Sequence, residues 1–400
     1  MLIFSKLFHF IIGLIVLFLI LYITSMNRKY VKTRIRYIIQ LIIIEILLAY
    51  ILLASTVGKD IIGVVSGGFD HLMAYAHEGT LFVFGSLTEN NFTFFFNVLM
   101  PIVLVSALIG ILQYFKILPL VIRCVGWLLS KVNGMGKLES FNAVSSLTLG
   151  QSENFIAYKD ILAQVSPRRM YTMAATAMST VSLGIVGAYM QLIDPRYIIT
   201  ALILNMISTF VVLHVLNPYD HTEELDFEAM AQHGYKKQTF FEMLSDYILA
   251  GFKIAIIVGA MMIGFIALIA MINQIFLAIF HISFQDILGY IFYPFAWLMG
   301  VSDGQALKAG SIMATKLVSN EFVAMTYLKD HLSQFSEHSL AIISVFLVSF
   351  ANFSSIGVIV GAIQALNTEK SKFVAKHGWR LVFGATMVSF LSALITGLVI

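Results

Sequence analysis

The chain has 400 residues, of which 59% are hydrophobic and only 12% charged, with a mean hydropathy of +0.89. That balance lies outside the soluble globular range and marks an integral membrane protein. A net charge of +3 spread over loops excludes a nucleic-acid surface, and the lone Cys124 excludes an internal disulfide and any Cys-based metal cluster.

Apolar segments repeatedly reach the roughly 20 residues that a helix needs to cross about 30 Å of hydrocarbon, so the class is α-helical rather than β-barrel. The first, Leu7 to Thr24, follows Lys6 as a signal peptide would. It is too long, lacks a small-residue cleavage site and ends in the basic NRKYVKTRIR, so it reads as a retained helix. Arg28, Lys29, Lys32, Arg34 and Arg36 place that loop in the cytoplasm and the N-terminus outside. A second span, Ile38 to Ala54, emerges into Ser55 to Asn90, a stretch with one lysine among several acids. Phe92 to Tyr114 returns to the cytoplasm, and the short amphipathic Leu118 to Leu129 is expected along the interface.

Leu138 to Pro167 is polar near its middle and has cations on both sides, Lys131 and Lys137 before it, Arg168 and Arg169 after it. It reads as a re-entrant hairpin that enters and leaves on the cytoplasmic face. Met170 to Ile193 and Tyr197 to Leu216 follow, joined by Asp194-Pro195-Arg196. A polar loop, Asn217 to Thr239, carries Glu223, Glu224, Asp226, Glu228 and the Lys236-Lys237 pair. Next come the span Tyr247 to Ile272, interfacial helices over Phe276 to Val301, and a second polar-centred segment, Ala306 to Leu332. The last spans, Leu340 to Leu366 and Leu381 to Ile400, flank Lys370, Lys372, Lys376 and Arg380. That loop is therefore cytoplasmic, the second hairpin enters from outside, and the C-terminus is outside.

The two hairpins are alike in sequence. QSENFIAYKDIL (Gln151 to Leu162) matches SNEFVAMTYLKDHL (Ser319 to Leu332), with Asn154 as an extra residue, and TVSLGIVGAY (Thr180 to Tyr189) matches FSSIGVIVGAI (Phe353 to Ile363). The fold class is thus an all-α polytopic membrane protein of about eight transmembrane helices plus two re-entrant hairpins of opposite orientation, an inverted repeat. Such repeats with broken helices meeting at the midplane are the architecture of secondary transporters.

An intramembrane carboxylate costs several kcal/mol unless it is paired, protonated or in a water-filled cavity. Glu153 and Glu321 hold equivalent places at the hairpin tips, among Gln151, Ser152, Asn320, Asn352, Ser354 and Ser355. These donors and acceptors fit a neutral, polyhydroxylated or amide-bearing solute. A phosphorylated or carboxylate substrate would call for arginines beside these motifs, and there are none. The plainer alternative is that the glutamates cap the tips. Lys159-Asp160 and Lys329-Asp330 read as interfacial anchors at the hairpin exits. Gly184, Gly187, Gly357 and Gly361 serve either close helix packing or unwound backbone that offers carbonyls to a ligand or cation. The Asn352 and Asn91 sequons carry no weight. The ten histidines show no metal-ligand spacing, and FTFFFNV (Phe92 to Val98) reads as lipid-facing or an oligomer contact. No Gly-rich phosphate loop is present, so an ion gradient must supply the energy. An intramembrane enzyme using the two glutamates as acid and base would lack a nucleophile or metal near them, so the chain reads as no enzyme.

GQSE (150 to 153), SNEFVA (319 to 324), SFANFSSIG (349 to 357) and the lead-in KVNGMGKLESFNAVSSL (131 to 147) resemble the signature motifs of the concentrative nucleoside transporter family, over nearly the whole chain. The resemblance implies a homotrimer in the bacterial cell or inner membrane, with a scaffold and mobile transport domains that move as elevators. It divides the chain into scaffold and interfacial helices (1–130), the first transport repeat (131–217, hairpin 138–167), a loop with a scaffold helix and interfacial helices (218–300), and the second transport repeat (301–400, hairpin 306–332). It implies nucleosides as substrates and no cofactor; since Gln151 and Ser152 can read a pyrimidine edge and an amide can rotate to serve adenine, pyrimidine nucleosides and adenosine are expected ahead of guanosine. Gln151, Ser152 and Glu153 would face the nucleobase, Glu321, Asn352 and Ser355 the ribose, with Phe350 and Ile185 as apolar wall. Sodium-coupled members place an asparagine where this chain has Ser146. Leu149, Thr180 and Val181 could still serve a cation, but the shorter serine favours coupling to protons through Glu153 or Glu321, with sodium as the alternative.

Overall fold

The computed structural model describes residues 2–85, 93–151, 153–156, 158, 161–219 and 238–400, without the side chains of residues 2, 3, 153 and 156. Ser152, Lys159, Asp160, Asn91, the loop acids from Glu223 to Glu228, Lys236 and Lys237 lie outside the described residues, as does the Glu153 side chain.

Every regular element described is helical. In chain order these are α1 (Leu2–Thr24), α2 (Arg28–Ala54), α3 (Thr56–Phe84), a π turn (Phe95–Leu99) leading into α4 (Pro101–Tyr114), and α5 (Ile117–Val132). The first hairpin is α6 (Lys137–Leu149) and α7 (Glu153–Ile156), followed by α8 (Pro167–Ser179), α9 (Leu183–Met190) and α10 (Pro195–Leu216). Then come α11 (Phe240–Phe280), α12 (Phe284–Leu298), the second hairpin α13 (Asp303–Val318) and α14 (Glu321–Lys329), α15 (Glu337–Leu347), α16 (Phe353–Gln364), α17 (Thr368–Lys376) and α18 (Gly378–Val399). Seven spans among the described residues are long and apolar enough to cross a membrane. The two shorter apolar helices α15 and α16 together cover the eighth.

Local chemistry sets the boundaries. Ser166 and Asp194 cap α8 and α10 ahead of a proline at the first helical position, and Thr239 with Glu242 forms a capping box at α11. The expected span at Tyr247 to Ile272 is the middle of that 41-residue helix. At about 1.5 Å per residue it is roughly 60 Å long, about twice the hydrocarbon thickness. It therefore absorbs the start of the expected interfacial segment at Phe276, whose remainder, α12, packs along α13.

The stretch from Ser55 to Asn90, given no helix above, holds the 29-residue α3. Five glycines (58, 63, 67, 68 and 79) and scattered charges hide it, each glycine costing a helix about 1 kcal/mol. Gly58 lies so close to the backbone of Ile51 and Leu52 that any Cβ would collide with α2. The segment Leu118 to Leu129 is amphipathic as expected. Its buried stripe, Leu118, Ile122, Gly126 and Leu129, faces α6, with Phe141 packed onto Gly126.

One order of elements occurs twice: span, short helix, hairpin, broken helix, span. It runs α4, α5, α6–α7, α8/α9, α10 and again α11, α12, α13–α14, α15/α16, α18. The short helix lies along its own hairpin in both, α4 packs on α11, and α10 packs on α18. Within 1–130, α1 lies against α18, α2 against α10 and α18, and α4 against α11, while α3 packs on both α2 and α4.

Charges sort to the two ends of the bundle. At one end Arg34 donates to Tyr219 O (2.6 Å), Arg168 to Asn217 Oδ1 (3.1 Å), Arg380 to Thr24 O (3.1 Å) and Lys370 to Val165 O (2.5 Å). At the other, Lys6 donates to the Ile400 carbonyl, so both termini share a face, and Arg196 bridges Asp194 (2.9 Å) and Glu337 (3.5 Å). The first hairpin opens at the cationic end, where Arg34 also reaches Gly134 O (3.3 Å). The second opens at the terminal end, where Gly300 neighbours His338 and His9. The hairpins thus enter from opposite sides.

Candidate functional site

Both broken helices part where the hairpin tips arrive. Helix α8 stops at Ser179, and Thr180 and Ser182 are extended before α9 begins; α15 stops at Leu347, and α16 restarts under the Asn352 cap. A break inside a membrane leaves carbonyls that need partners. In the second repeat Asn205 Nδ2 donates to Val348 O (2.5 Å) and Lys316 Nζ to Phe346 O (2.6 Å).

Glu321 opens α14 and is only 4% exposed. The α14 cap is Asn320, whose Oδ1 accepts from Val323 N at 3.0 Å, so the Glu321 carboxylate is engaged elsewhere. The Tyr189 hydroxyl donates to its Oε1 (2.8 Å) and Asn352 Nδ2 to its Oε2 (2.9 Å). Asn352 serves twice, because its Oδ1 also accepts from Ser355 N (2.9 Å) and Ser354 Oγ (2.7 Å). Phe322 meets the Tyr189 ring edge-on at 4.8 Å. Phe350 is buried in the break itself. No ion pair reaches Glu321 among the described residues.

At the first tip Gly150 has φ +90°, a conformation that a side chain would strain, and a Cβ there would touch Ser182 at 3.4 Å. The tip therefore sits on the α8/α9 break. Ser146 Oγ donates to Asn142 O (2.7 Å) and accepts from Asn154 Nδ2 (2.8 Å), which also donates to Asn142 Oδ1 (2.8 Å). Thr180 Oγ1 turns back to Thr176 O (3.1 Å), and Val181 is buried. The buried Oε1 of Gln151 finds no partner among the described residues. Leu149 and Ile185 border a cavity of about 30 Å³, together with Thr148 and Ser182, facing Ile109 and Tyr247. That is room for roughly one water.

The structure thus brings Glu321, Asn352 and Ser355 together, and separately gathers Ser146, Leu149, Gln151 and Ile185 around the first tip. The repeats are also crossed. Tyr189 of the first repeat holds the second tip, helix α7 of the first tip touches α16, Lys329 donates to Gln191 O (3.0 Å), and Lys370 ties down Val165 at the first hairpin's exit. Sequence reasoning missed Tyr189, although a tyrosine closing an apolar helix is a readable sign. It also missed Lys316, a lone cation in an apolar arm, and noted Asn154 only as an insertion. The partnership of Glu139 with Arg169 had no local signal.

Comparison with known proteins agrees with this geometry. Family models described as Na+ dependent nucleoside transporter N-terminus, Nucleoside recognition, and Na+ dependent nucleoside transporter C-terminus match residues 12–87, 95–196 and 197–397. The purine nucleoside transport protein NupG of Bacillus subtilis is 36% identical, covering 97% of this chain and 98% of its own. The nucleoside permease NupC of Helicobacter pylori is 29% identical, covering 100% and 99%. The solved structure of CNTnw in an inward-facing substrate-bound state superposes with a TM-score of 0.92 at 29% identity, covering 98% of each chain. A CNTnw variant in an outward-facing state also reaches 0.92. The buried carboxylate between two broken helices, the crossed hairpins and these matches lead to one conclusion: the chain belongs to the concentrative nucleoside transporter family and is a membrane nucleoside transporter, not an enzyme.

Proposed function

We propose that this protein is a symporter that imports nucleosides with protons, by an elevator-type movement, as a homotrimer in the bacterial cell or inner membrane. The observation that carries this reading is the pair of neutral donors on Glu321. Ribose hydroxyls can replace Tyr189 and Asn352 one for one, so the buried carboxylate stays satisfied while substrate exchanges. Asn352 and Ser355 would share the ribose, Gln151, Ser152 and Glu153 would take the base, and Phe350 and Ile185 would wall the sugar.

Proton coupling is supported by the surroundings of Ser146, whose hydroxyl already donates to Asn142 and accepts from Asn154. A cation among Ser146, Leu149, Thr180 and Val181 would share the Ser146 hydroxyl with the Asn154 amide, which leaves it one lone pair there where an asparagine carbonyl would offer more. Glu153 or Glu321 would be the carboxylate that takes up a proton with substrate. The description of the family models as Na+ dependent favours sodium as the second reading. In vesicles, Glu153→Gln is expected to abolish concentrative uptake or free it from pH, and Glu321→Ala to remove ribose recognition. Uridine uptake that survives both with its pH response intact overturns the assignment. Uptake driven by a sodium gradient at fixed pH selects the second reading.

For the base, an amide such as Gln151 can read a pyrimidine edge and can rotate to serve adenine. Pyrimidine nucleosides and adenosine are the substrates this favours. The relative named for purine nucleoside transport favours purine nucleosides, guanosine included. Competition by a panel of unlabelled nucleosides separates the two.

A further inference from the structure

A second carboxylate lies inside the membrane, away from the tips. Glu45 is in the middle of α2 and is 0% exposed. The Ser208 hydroxyl of α10 donates to its Oε1, and its Oε2 finds no partner among the described residues. No ion pair among the described residues involves it. The titratable groups on the helices packed against this point stand elsewhere. Arg36, Tyr37 and Tyr50 on α2, Arg196, Tyr197 and His214 on α10, and Arg380 on α18 lie a turn or more along their helices. Lys59, Asp60, Asp70, His71 and Glu78 on α3, and Arg123, Cys124 and Lys131 on α5, are exposed, with His77 half-buried beside them. An ionised carboxylate with one hydroxyl donor and no cation is costly in such surroundings, so this group is suited to hold a proton.

Glu45 is not isolated from the substrate site. Ser392 Oγ on α18 donates to Ser208 Oγ at 3.0 Å, so two hydroxyls point in series toward the carboxyl. One turn back on the same face of α18, Ser389 Oγ bonds Ser349 Oγ (2.8 Å) in the second broken helix and accepts from Lys316 Nζ (3.2 Å). Lys316 also donates to Ser349 Oγ (2.7 Å), is 1% exposed, and lies on the arm that leads to Glu321. A row of buried polar groups, Glu45, Ser208, Ser392, Ser389, Ser349 and Lys316, thus crosses an otherwise apolar core.

We propose that Glu45 is an exchangeable proton site of this transporter, linked through that serine and lysine row to the carboxylate that binds substrate. This rests on the proton-coupled reading above. The proton on the Glu45 carboxyl leaves and returns as H+ while substrate-driven rearrangement at Glu321 shifts the row, and no covalent bond other than O–H is made or broken. Serine pairs that merely glue helices together would give the same contacts but no effect on proton movement.

The experiment uses the full-length protein in proteoliposomes with labelled uridine. Three quantities are read: exchange under counterflow, accumulation under an imposed pH gradient, and alkalinisation of the medium on adding substrate. With one proton per substrate, a gradient of one pH unit supports about tenfold accumulation. Glu45→Gln, which copies the protonated acid, is expected to keep exchange while accumulation and alkalinisation are lost. Ser208→Ala, a milder change should the first fail to fold, is expected to shift the pH of half-maximal uptake. Wild-type accumulation in Glu45→Gln overturns the proposal, and so does an unchanged pH profile in Ser208→Ala. If the unmodified protein itself shows no substrate-linked proton movement, the proton-coupled reading fails first and takes this proposal with it.

Discussion

The two hairpins share a sequence pattern but are held in opposite ways. The first is locked at its base. Arg169 Nε and Nη2 grip Glu139 at 2.6 and 3.0 Å, Tyr219 adds a third bond to that carboxylate at 2.7 Å, and the group is buried. The second has a light base, with Lys308 donating to the Tyr327 hydroxyl (2.7 Å) and Ser336 to Gln305 (3.4 Å) near the surface. Its tip is held instead, through Glu321. The arms differ too: α14 starts under an Asn320 cap, whereas the first arm follows the Gly150 bend and the Asn154 amide ties it back to α6. A hairpin fastened at its base by buried charge resists opening whatever occupies the site. One fastened at its tip by the same carboxylate that a sugar would use is sensitive to substrate.

The largest test of that contrast is Arg169→Met. It leaves Glu139 buried without its cation and is expected to cost about 3–5 kcal/mol of stability, read as a lowered unfolding temperature in detergent. Adding Glu139→Gln should recover part of the loss. Lys316→Met comes next. It removes the donor to Phe346 O and Ser349 and should destabilise by about 1.5–3 kcal/mol, with the second repeat showing faster hydrogen exchange than the first. Tyr189→Phe deletes one of the two donors on Glu321. Because a ribose hydroxyl takes over this donor's place, the loss falls on the empty site: nucleoside binding should tighten about tenfold, roughly 1.4 kcal/mol, and the substrate-free protein should unfold at a lower temperature, as equilibrium binding and melting will report. Lys308→Met is the smallest change, at most about 1 kcal/mol, since its pair is only part-buried and has a neutral partner. If it destabilises the protein as much as Arg169→Met, the difference between the two bases is not real.

Much of the architecture was legible in the chain. Hydropathy located the spans, and the cations at Arg28 to Arg36, Arg168, Lys370 and Arg380 do gather at one end of the bundle. Repeated motifs showed that the hairpins correspond, and the charge pattern showed that they enter from opposite sides. Helix α3 was not legible, because its glycines and charges weaken the periodic signal that its packing on α2 makes unnecessary. The full length of α11 was also missed, since hydropathy marks only the part of a helix that lies in hydrocarbon.

By itself the sequence determined what local chemistry determines: the apolar spans other than α3, the helix caps, the polar breaks around Thr180 to Gly184 and Phe350 to Gly357, and the carboxylate Glu321 as a buried group in need of partners. Which partners it has was decided only by the tertiary structure. Tyr189 and Glu321 are 132 residues apart, Glu139 and Arg169 30, Ser208 and Glu45 163. Hydrogen bonds between such residues depend on how helices pack across the repeats. A one-dimensional pattern carries the period of each helix but not the rotation and depth at which two helices meet.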